Sequence, residues 1–295
     1  MSGDYPSILN ELGLGAPIDL ARIGGGCIAD AAVATFTDGS KVFVKCAAGM
    51  PEMFEREAEG LLALAAAEAI RVPQVLAVGE QALALEMIRA APRKPDFYET
   101  FGRDFAQLHD YRGKTFGFFH DNFIGSTRQH NEPLDGPWND AARDNGAAWP
   151  GFFMERRLRF QVRLAARKGY GHELERLLDR AEARIVELLT AAIETPSLLH
   201  GDLWSGNYIV DDHGAACLID PAVYYGHREA DLAMTRLFGG FAPAFYKAYG
   251  EVSPLAPGHE DRLAIYQLYH ILNHLNLFGG GYFDQSRRIL RHYAS

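Results

Sequence analysis

The run Leu199-His200-Gly201-Asp202-Leu203-Trp204-Ser205-Gly206-Asn207, followed by Leu218-Ile219-Asp220-Pro221, constrains this chain more than any other segment. A carboxylate is followed five residues on by an amide, and thirteen residues further by a second carboxylate. That order suits transfer of a phosphoryl group. Asp202 can accept the proton of an acceptor hydroxyl. Asn207 and Asp220 offer the hard oxygen ligands that Mg²⁺ prefers while keeping some of its water.

Asp-x4-Asn with a metal-holding Asp downstream is the catalytic-loop spacing of protein kinases. His-Gly-Asp stands here in place of His-Arg-Asp, which points to kinases acting on small molecules. The other parts of a kinase pattern lie upstream. Lys41-Val42-Phe43-Val44-Lys45 alternates as a strand does, after an Asp38-Gly39 turn. Before it, Gly24, Gly25, Gly26 and Cys27 form a loop whose backbone can approach phosphates closely. Residues 51 to about 69 have helix-forming composition. Phe54, Glu57, Leu61 and Leu64 share one face of that helix. Glu57 either pairs with Lys45, which would relieve a costly lone carboxylate, or merely borders the apolar stripe.

Residues 72–80 and 82–86 read as strands around a turn, and Glu86-Met87-Ile88 as a hinge whose backbone can meet an adenine edge. The expected organisation is an N-terminal nucleotide-binding lobe over 1–88 and a catalytic, substrate-binding lobe over 89–295. The second lobe reads as helical at 97–110, 152–168, 173–194, 230–238 and 262–278. Residues 116–150 are rich in Gly, Asn, Asp, Pro and Trp and show little regular pattern. The expected fold class is α+β: a two-lobed protein-kinase-like fold, with a small β-rich N-lobe, a larger helical C-lobe and ATP in the cleft between them.

Composition narrows the partners. A net charge of −9 disfavours nucleic acid, whose phosphates select basic surfaces. No apolar run approaches the roughly 18 residues of a membrane span. Met1-Ser2-Gly3-Asp4 lacks the basic start and apolar core of a signal peptide. Cys27, Cys46 and Cys217 form no CxxC pair and no disulfide framework, so a reducing cytoplasm is the expected location.

Several stretches resemble the fructosamine kinase, or ketosamine-3-kinase, family. They are Gly-Gly-Cys-Ile at 25–28, Phe-Val-Lys at 43–45, Met-Phe-Glu-Arg-Glu at 53–57, Asn-Phe-Ile-Gly-Ser-Thr at 122–127, the run from Leu198 to Asn207, Asp220 to Met234, and Leu237-Phe238-Gly239-Gly240-Phe241. The likeness runs from about Ile8 to Arg291. One departure is Ala29-Asp30, where the family pattern has a polar residue and then Glu. The resemblance implies ATP-dependent phosphorylation of a sugar hydroxyl on a ketosamine, the adduct of a sugar and an amine. The phosphorylated adduct then falls apart, so the implied role is deglycation repair of proteins or small molecules. It further implies a sugar contact for His274 and a redox-sensitive Cys27; if two such loops meet in a homodimer, Cys27 could bridge the subunits as a disulfide.

On this reading Asp202 is the catalytic base. Gly24, Gly25, Gly26, Cys27, Lys45, Glu57, Glu86, Met87 and Ile88 bind ATP, Asn207 and Asp220 hold Mg²⁺, and Trp204 and His274 meet the substrate. Trp204 can stack on a sugar or simply pack. Asp231 either contacts substrate or braces the catalytic loop by accepting backbone hydrogen bonds. His270 and His274, four apart on a helix, could be packing residues or part of a zinc site lacking an evident third ligand, while the resemblance offers His274 or Asn273 as a sugar hydrogen-bonding residue. Arg156, Arg157, Arg159, Arg163 and Arg167 read as a solvated face. Two rivals remain: an aminoglycoside- or choline-type phosphotransferase, against which Trp204 and Asp220-Pro221-Ala222 argue, and a nucleotide-holding redox protein without turnover, against which the intact Lys45, Asp202, Asn207 and Asp220 argue.

Overall fold

A computed structural model describes residues 4–23, 29–47, 49–50, 52–134 and 148–295. By its contacts the chain forms two units, Met1–Phe97 with Asn207–Pro221, and Tyr98–Gly206 with Ala222–Ser295.

The first unit opens with helix α1 (Tyr5–Glu11), capped by Asp4, whose Oδ1 accepts the Ser7 N–H, and carrying Pro6 in its first turn. Strands β1 (Asp19–Ile23), β2 (Asp30–Thr35) and β3 (Lys41–Cys46) follow, then helix α2 (Met53–Ala66) and strands β4 (Val75–Gly79) and β5 (Ala82–Glu86). They form one antiparallel sheet in the order β1-β2-β3-β5-β4. The β2–β3 turn is set by Gly39 at φ 82° and by Asp38, which accepts the Ser40 N–H at 2.9 Å. Alternation along β3 decides where Lys45 goes. Val42, Val44 and Cys46 join a core with Tyr5, Leu9, Ala34 and Ala84, so Phe43 and Lys45 take the opposite face. Burial, helped by Asp30, pushes the Cys46 thiol up to about 11, which keeps it a neutral packing group.

The second unit begins with helix α3 (Phe97–His109), whose first residue belongs to the other unit. The short strands β6 (Asn122–Ile124) and β7 (Thr127–Gln129) form a hairpin within the stretch expected to be irregular. Strands of three residues with Asn122 and Gln129 buried carry no apolar alternation to read. Helix α4 (Trp149–Phe152) runs through a π-helical stretch, Phe153–Arg159, into α5 (Phe160–Arg167). Helix α6 (Gly171–Thr190) and strand β8 (Ser197–Leu199) precede the catalytic-loop sequence.

The chain then contributes β9 (Tyr208–Val210) and β10 (Ala216–Leu218) to the first unit before returning with β11 (Tyr224–Gly226), which pairs with β8. The β9–β10 hairpin is fixed within the first unit by backbone bonds. Leu218 N–H donates to the Arg71 carbonyl at 2.9 Å and Ala91 N–H to that of Val210 at 3.0 Å. Arg71 also pairs with Asp211, Asp212 and Glu86 at 2.9, 2.8 and 2.6 Å. Helices α7 (Arg228–Arg236), α8 (Pro243–Val252), α9 (His259–Phe278) and α10 (Tyr282–Tyr293) complete the second unit. Its core gathers Trp149, Phe153, Leu178, Ile185, Tyr266, Leu272 and Leu290.

The arginine run departs from expectation at one residue. Arg157 is fully buried, its guanidinium 4.1 Å from the Tyr224 ring and 4.8 Å from that of Phe152, and it donates to the His130 carbonyl at 2.5 Å and to Asn131 Oδ1 at 2.8 Å. The π-helical stretch shifts the helical phase there, so a face assigned at 3.6 residues per turn misplaces it.

Candidate active site

In the first unit, the alternation of β3 delivers Lys45 to α2. Lys45 Nζ lies 2.6 Å from Glu57 Oε1 and is also hydrogen-bonded to Asp220 Oδ1. The Lys45 and Glu57 side chains are only 15% and 14% exposed. Glu57 therefore pairs rather than bordering the stripe of Phe54, Leu61 and Leu64, all of which are buried. Burial opposes charge on Lys45, but the carboxylates of Glu57 and Asp220 outweigh it and hold the ammonium charged beyond its usual range. Burial pushes the Glu57 carboxyl up while Lys45 draws it down; a contact this short is that of an ion pair.

Asn207 and Asp220 sit at the open end of the β9–β10 ladder, where the Asn207 carbonyl accepts the Ile219 N–H at 3.1 Å. Asn207 is buried and Asp220 is exposed. Asp220 has φ 54°, a left-handed conformation that Asp tolerates better than most residues. An amide oxygen and a carboxylate make a hard donor set, fitting a cation that takes few protein ligands and completes its shell with water and phosphate oxygens. Asp220 already holds one cation, the Lys45 ammonium. Among the described residues no three His, Cys, Asp or Glu side chains cluster as a metal cage, around His270 and His274 or elsewhere. The Glu86 carboxylate at the end of β5 is taken up by Arg71 and by the Gln74 N–H at 3.2 Å, and Ile88 just beyond it is buried. Gly24, Gly25, Gly26 and Cys27 lie outside the described residues.

In the second unit the catalytic-loop sequence is held by backbone bonds. Asp231, buried in the first turn of α7, accepts the N–H of His200 at 2.6 Å and of Gly201 at 2.8 Å. His109 Nε2 lies 3.3 Å from the same carboxylate, and Tyr249 is hydrogen-bonded to His109 Nδ1 at 2.8 Å. Burial would raise the Asp231 carboxyl, but these bonds more than offset it and keep it below the usual carboxylate range. Asp231 thus braces the loop. The glycine of His-Gly-Asp is required here. Gly201 has φ 83°, and a Cβ would come within 2.0 Å of the Ala222 carbonyl oxygen. Ala222 follows Asp220-Pro221, and its N–H donates to the His200 carbonyl at 2.9 Å. Ala222 and Val223 are held in turn by the β6–β7 hairpin, through Gln129 Nε2 at 3.0 Å and Asn122 Nδ2 at 2.7 Å. Tyr269 on α9 donates to Gln129 Oε1 at 2.7 Å.

Asp202 follows Gly201, its N–H donating to His200 Nδ1 at 3.3 Å. Its Oδ1 lies 3.7 Å from Nδ1 of His270, a fully buried imidazole on α9 whose Nδ1 makes no hydrogen bond. Burial, with His274 adding to it, pushes His270 down to about 3, so it is neutral beside Asp202. Trp204 is 36% exposed and meets the edge of Phe238 at 6.0 Å. His274 lies one turn along α9 from His270, bonded through Nδ1 to the His270 carbonyl at 2.8 Å and packed on Phe238 at 4.7 Å. The second unit therefore brings Asp202, Trp204 and His274 onto neighbouring elements. Two residues of this cluster carried no site reading in the sequence. His270 stood only as packing or a zinc partner, and Phe238 was quoted only within a motif.

Comparison with known proteins places these features in one family. The family model described as fructosamine kinase matches residues 14–295. The chain is 41% identical over 276 residues to the probable ketoamine kinase of Synechocystis sp., covering 91% of this chain and 88% of that protein. It is 39% identical to the chloroplastic protein-ribulosamine 3-kinase of Oryza sativa subsp. japonica, covering 93% of this chain and 78% of that one. A crystal structure from Thermobifida fusca, named as a fructosamine-3-kinase, superposes with a TM-score of 0.86 at 32% identity and covers 98% of both chains. The α+β, protein-kinase-like fold expected from the sequence is thus the observed one, and the chain belongs to the fructosamine kinase family.

Proposed function

We propose that this protein is a ketosamine-3-kinase: it transfers the terminal phosphoryl group of ATP to a sugar hydroxyl of a ketoamine, as the names of its relatives indicate for them. The observation that carries the catalytic part of this reading is Lys45, held at once by Glu57 and Asp220. A charged ammonium fixed from two sides is arranged to meet phosphate oxygens, and a chain that only held nucleotide would have no need of the intact set with Asp202 and Asn207.

In this reading Lys45 binds the nucleotide phosphates and Glu57 fixes Lys45. Gly24, Gly25, Gly26 and Cys27 cover the phosphates, and the backbone of Glu86, Met87 and Ile88 meets adenine. Asn207 and Asp220 hold Mg²⁺. That ion, when bound with the nucleotide, supplies positive charge where negative charge builds on the phosphate oxygens. Asp202 accepts the proton of the sugar hydroxyl and orients its oxygen. Trp204 and His274 wall the sugar. The phosphorylated ketoamine then falls apart, which makes deglycation of proteins or small molecules the proposed physiological role.

Three finer points belong with the proposal. Cys27 is the redox candidate, and two copies of its loop could meet in a homodimer. A cytoplasmic location accords with the buried free thiols Cys46 and Cys217. No described helix is long and apolar enough to cross a membrane.

ATP consumption measured with ribulosamines, fructosamines, aminoglycosides and choline, with and without Mg²⁺, tests the reading. Turnover with the two ketoamines, lost without Mg²⁺, is expected. Turnover confined to aminoglycosides or choline would overturn it.

A further inference from the structure

Phe238 is held in a conformation that its own packing does not explain. It lies just beyond α7 at φ 54°, a left-handed backbone that a bulky L residue adopts only under strain. Gly239 and Gly240 follow at φ 100° and 74°, so a glycine at 238 would make the same turn without that strain. Phe238 is nonetheless 40% exposed, so part of its surface is left open to solvent.

What the ring does face is the acceptor side of the site. It meets Trp204 at 6.0 Å with planes inclined by 73°, and His274 at 4.7 Å inclined by 51°. His274 is itself inclined to Phe278 by 50° at 5.5 Å and to Tyr282 by 46° at 5.3 Å. Trp204 and Phe238 are 36% and 40% exposed, so ring surface stays open beside these contacts, and a cation is drawn to the electron-rich faces of such rings. Burial lowers the basicity of His274, so its ring adds no competing positive charge near neutral pH.

The rise of α9 says which part of a substrate arrives there. His270 faces Asp202 at 3.7 Å. His274 and Phe278 follow at four-residue steps, each about 6 Å along the helix. A ketoamine carries its nitrogen on the carbon beside the carbonyl, two carbons from the hydroxyl at position 3. With that hydroxyl at Asp202, the nitrogen and its substituent can extend along α9 toward the rings. This nitrogen is an amine and is protonated near neutral pH.

We propose that Trp204, Phe238 and His274 form an aromatic subsite for the protonated amine nitrogen of the ketoamine, with Phe238 as a specificity-determining wall. The inference rests on the ketosamine kinase reading above.

The test compares an N-alkyl fructosamine with the 1-O-alkyl fructose bearing the same alkyl group, which is neutral at that position. Wild type should favour the amine in kcat/KM by about fivefold or more, the scale of one cation–π contact. Phe238→Leu keeps apolar bulk but removes the π face and should lose most of that preference through KM, with kcat retained. Phe238→Tyr should keep the preference. Phe238→Gly should lose it while melting at or above the wild-type temperature, since the turn is relieved. A wild-type preference retained in Phe238→Leu, or a lower melting temperature in Phe238→Gly, would overturn the subsite. Turnover of both compounds by wild type without discrimination would sink the subsite alone. Turnover of neither would sink the ketosamine kinase reading and the subsite together.

Discussion

The two units hold their chemistry by opposite means. In the first, three charged side chains restrain one another: Lys45 is gripped by Glu57 and Asp220. In the second, Asp202 stands at the end of a loop fixed through its backbone by Asp231, beside a neutral imidazole and aromatic rings. On the proposed ketosamine kinase reading, the contrast follows from what each end must meet. A polyanion is met by an assembled cation that is kept charged despite burial. A neutral sugar hydroxyl needs a correctly aimed acceptor oxygen, and extra fixed charge would only compete for it.

The largest expected effect separates the two ends. Asp202→Asn should lower turnover by at least about 100-fold while leaving nucleotide affinity intact, because an amide cannot take the hydroxyl proton. Lys45→Met should weaken nucleotide binding as well as turnover, since it removes the cation and leaves Glu57 buried without its partner. Nucleotide titration and steady-state rates on both variants check this. If Asp202→Asn weakens nucleotide binding as much as Lys45→Met does, the division of labour drawn here is wrong.

A smaller effect is expected at the brace. Asp231→Asn leaves one acceptor oxygen where the carboxylate serves two backbone N–H groups and His109. An amide N–H would then face a backbone N–H. A loss of about 2 kcal/mol of stability is expected for such a mismatch at buried groups, together with a lower kcat and an unchanged KM for nucleotide. Thermal melting and kinetics measure it. Wild-type melting and wild-type kcat together would show that the loop holds its shape without Asp231.

How far these features could be read in the sequence depended on how local their signals were. The β2–β3 hairpin, the position of Lys45 and the Glu57 face of α2 were legible, because period-2 and period-3.6 patterns with a turn signal report them directly. Asp231 was legible as a candidate brace because a carboxylate opening an apolar helix must find donors. Arg157 was misplaced because the π-helical stretch, which leaves no mark in residue type, moves it off the solvated face. The β6–β7 hairpin was missed because its function is to pin Ala222 with amides rather than to bury alternating apolar residues. Helix α1 spans only 7 residues, too few for periodicity, though Asp4 and Pro6 form the start signal that could have revealed it. Phe238 showed in the sequence only inside a family-like stretch that assigns it no role. Its meaning lies in a backbone angle and in three rings drawn from separate segments.

The last effect concerns pH and again divides the units. His109, His270 and His274, all in the second unit, have pKa values lowered in the fold, in each case first by burial. An unfolded histidine takes up its proton near pH 6.5, whereas these stay neutral below that. The unfolded chain therefore binds more protons as pH falls, and the stability these groups contribute is present above about 6.5 and is lost toward acid. For His270, pushed down to about 3, the window runs from about 6.5 to 3, with a slope of up to about 1.4 kcal/mol per pH unit. Lys45, in the first unit, is raised, so its contribution is complete throughout this range and falls away only as pH rises past its ordinary alkaline value. Melting temperature should accordingly fall from pH 7 to pH 5, and fall less steeply in His270→Asn, which retains a side-chain donor but cannot be protonated. Hydrogen exchange over the same range should show α3 and α9 losing protection before β3 and α2. An acid limb of equal slope in wild type and His270→Asn, or earlier loss of protection in β3 and α2, would mean that the neutral side of the molecule is not the one on which acid acts.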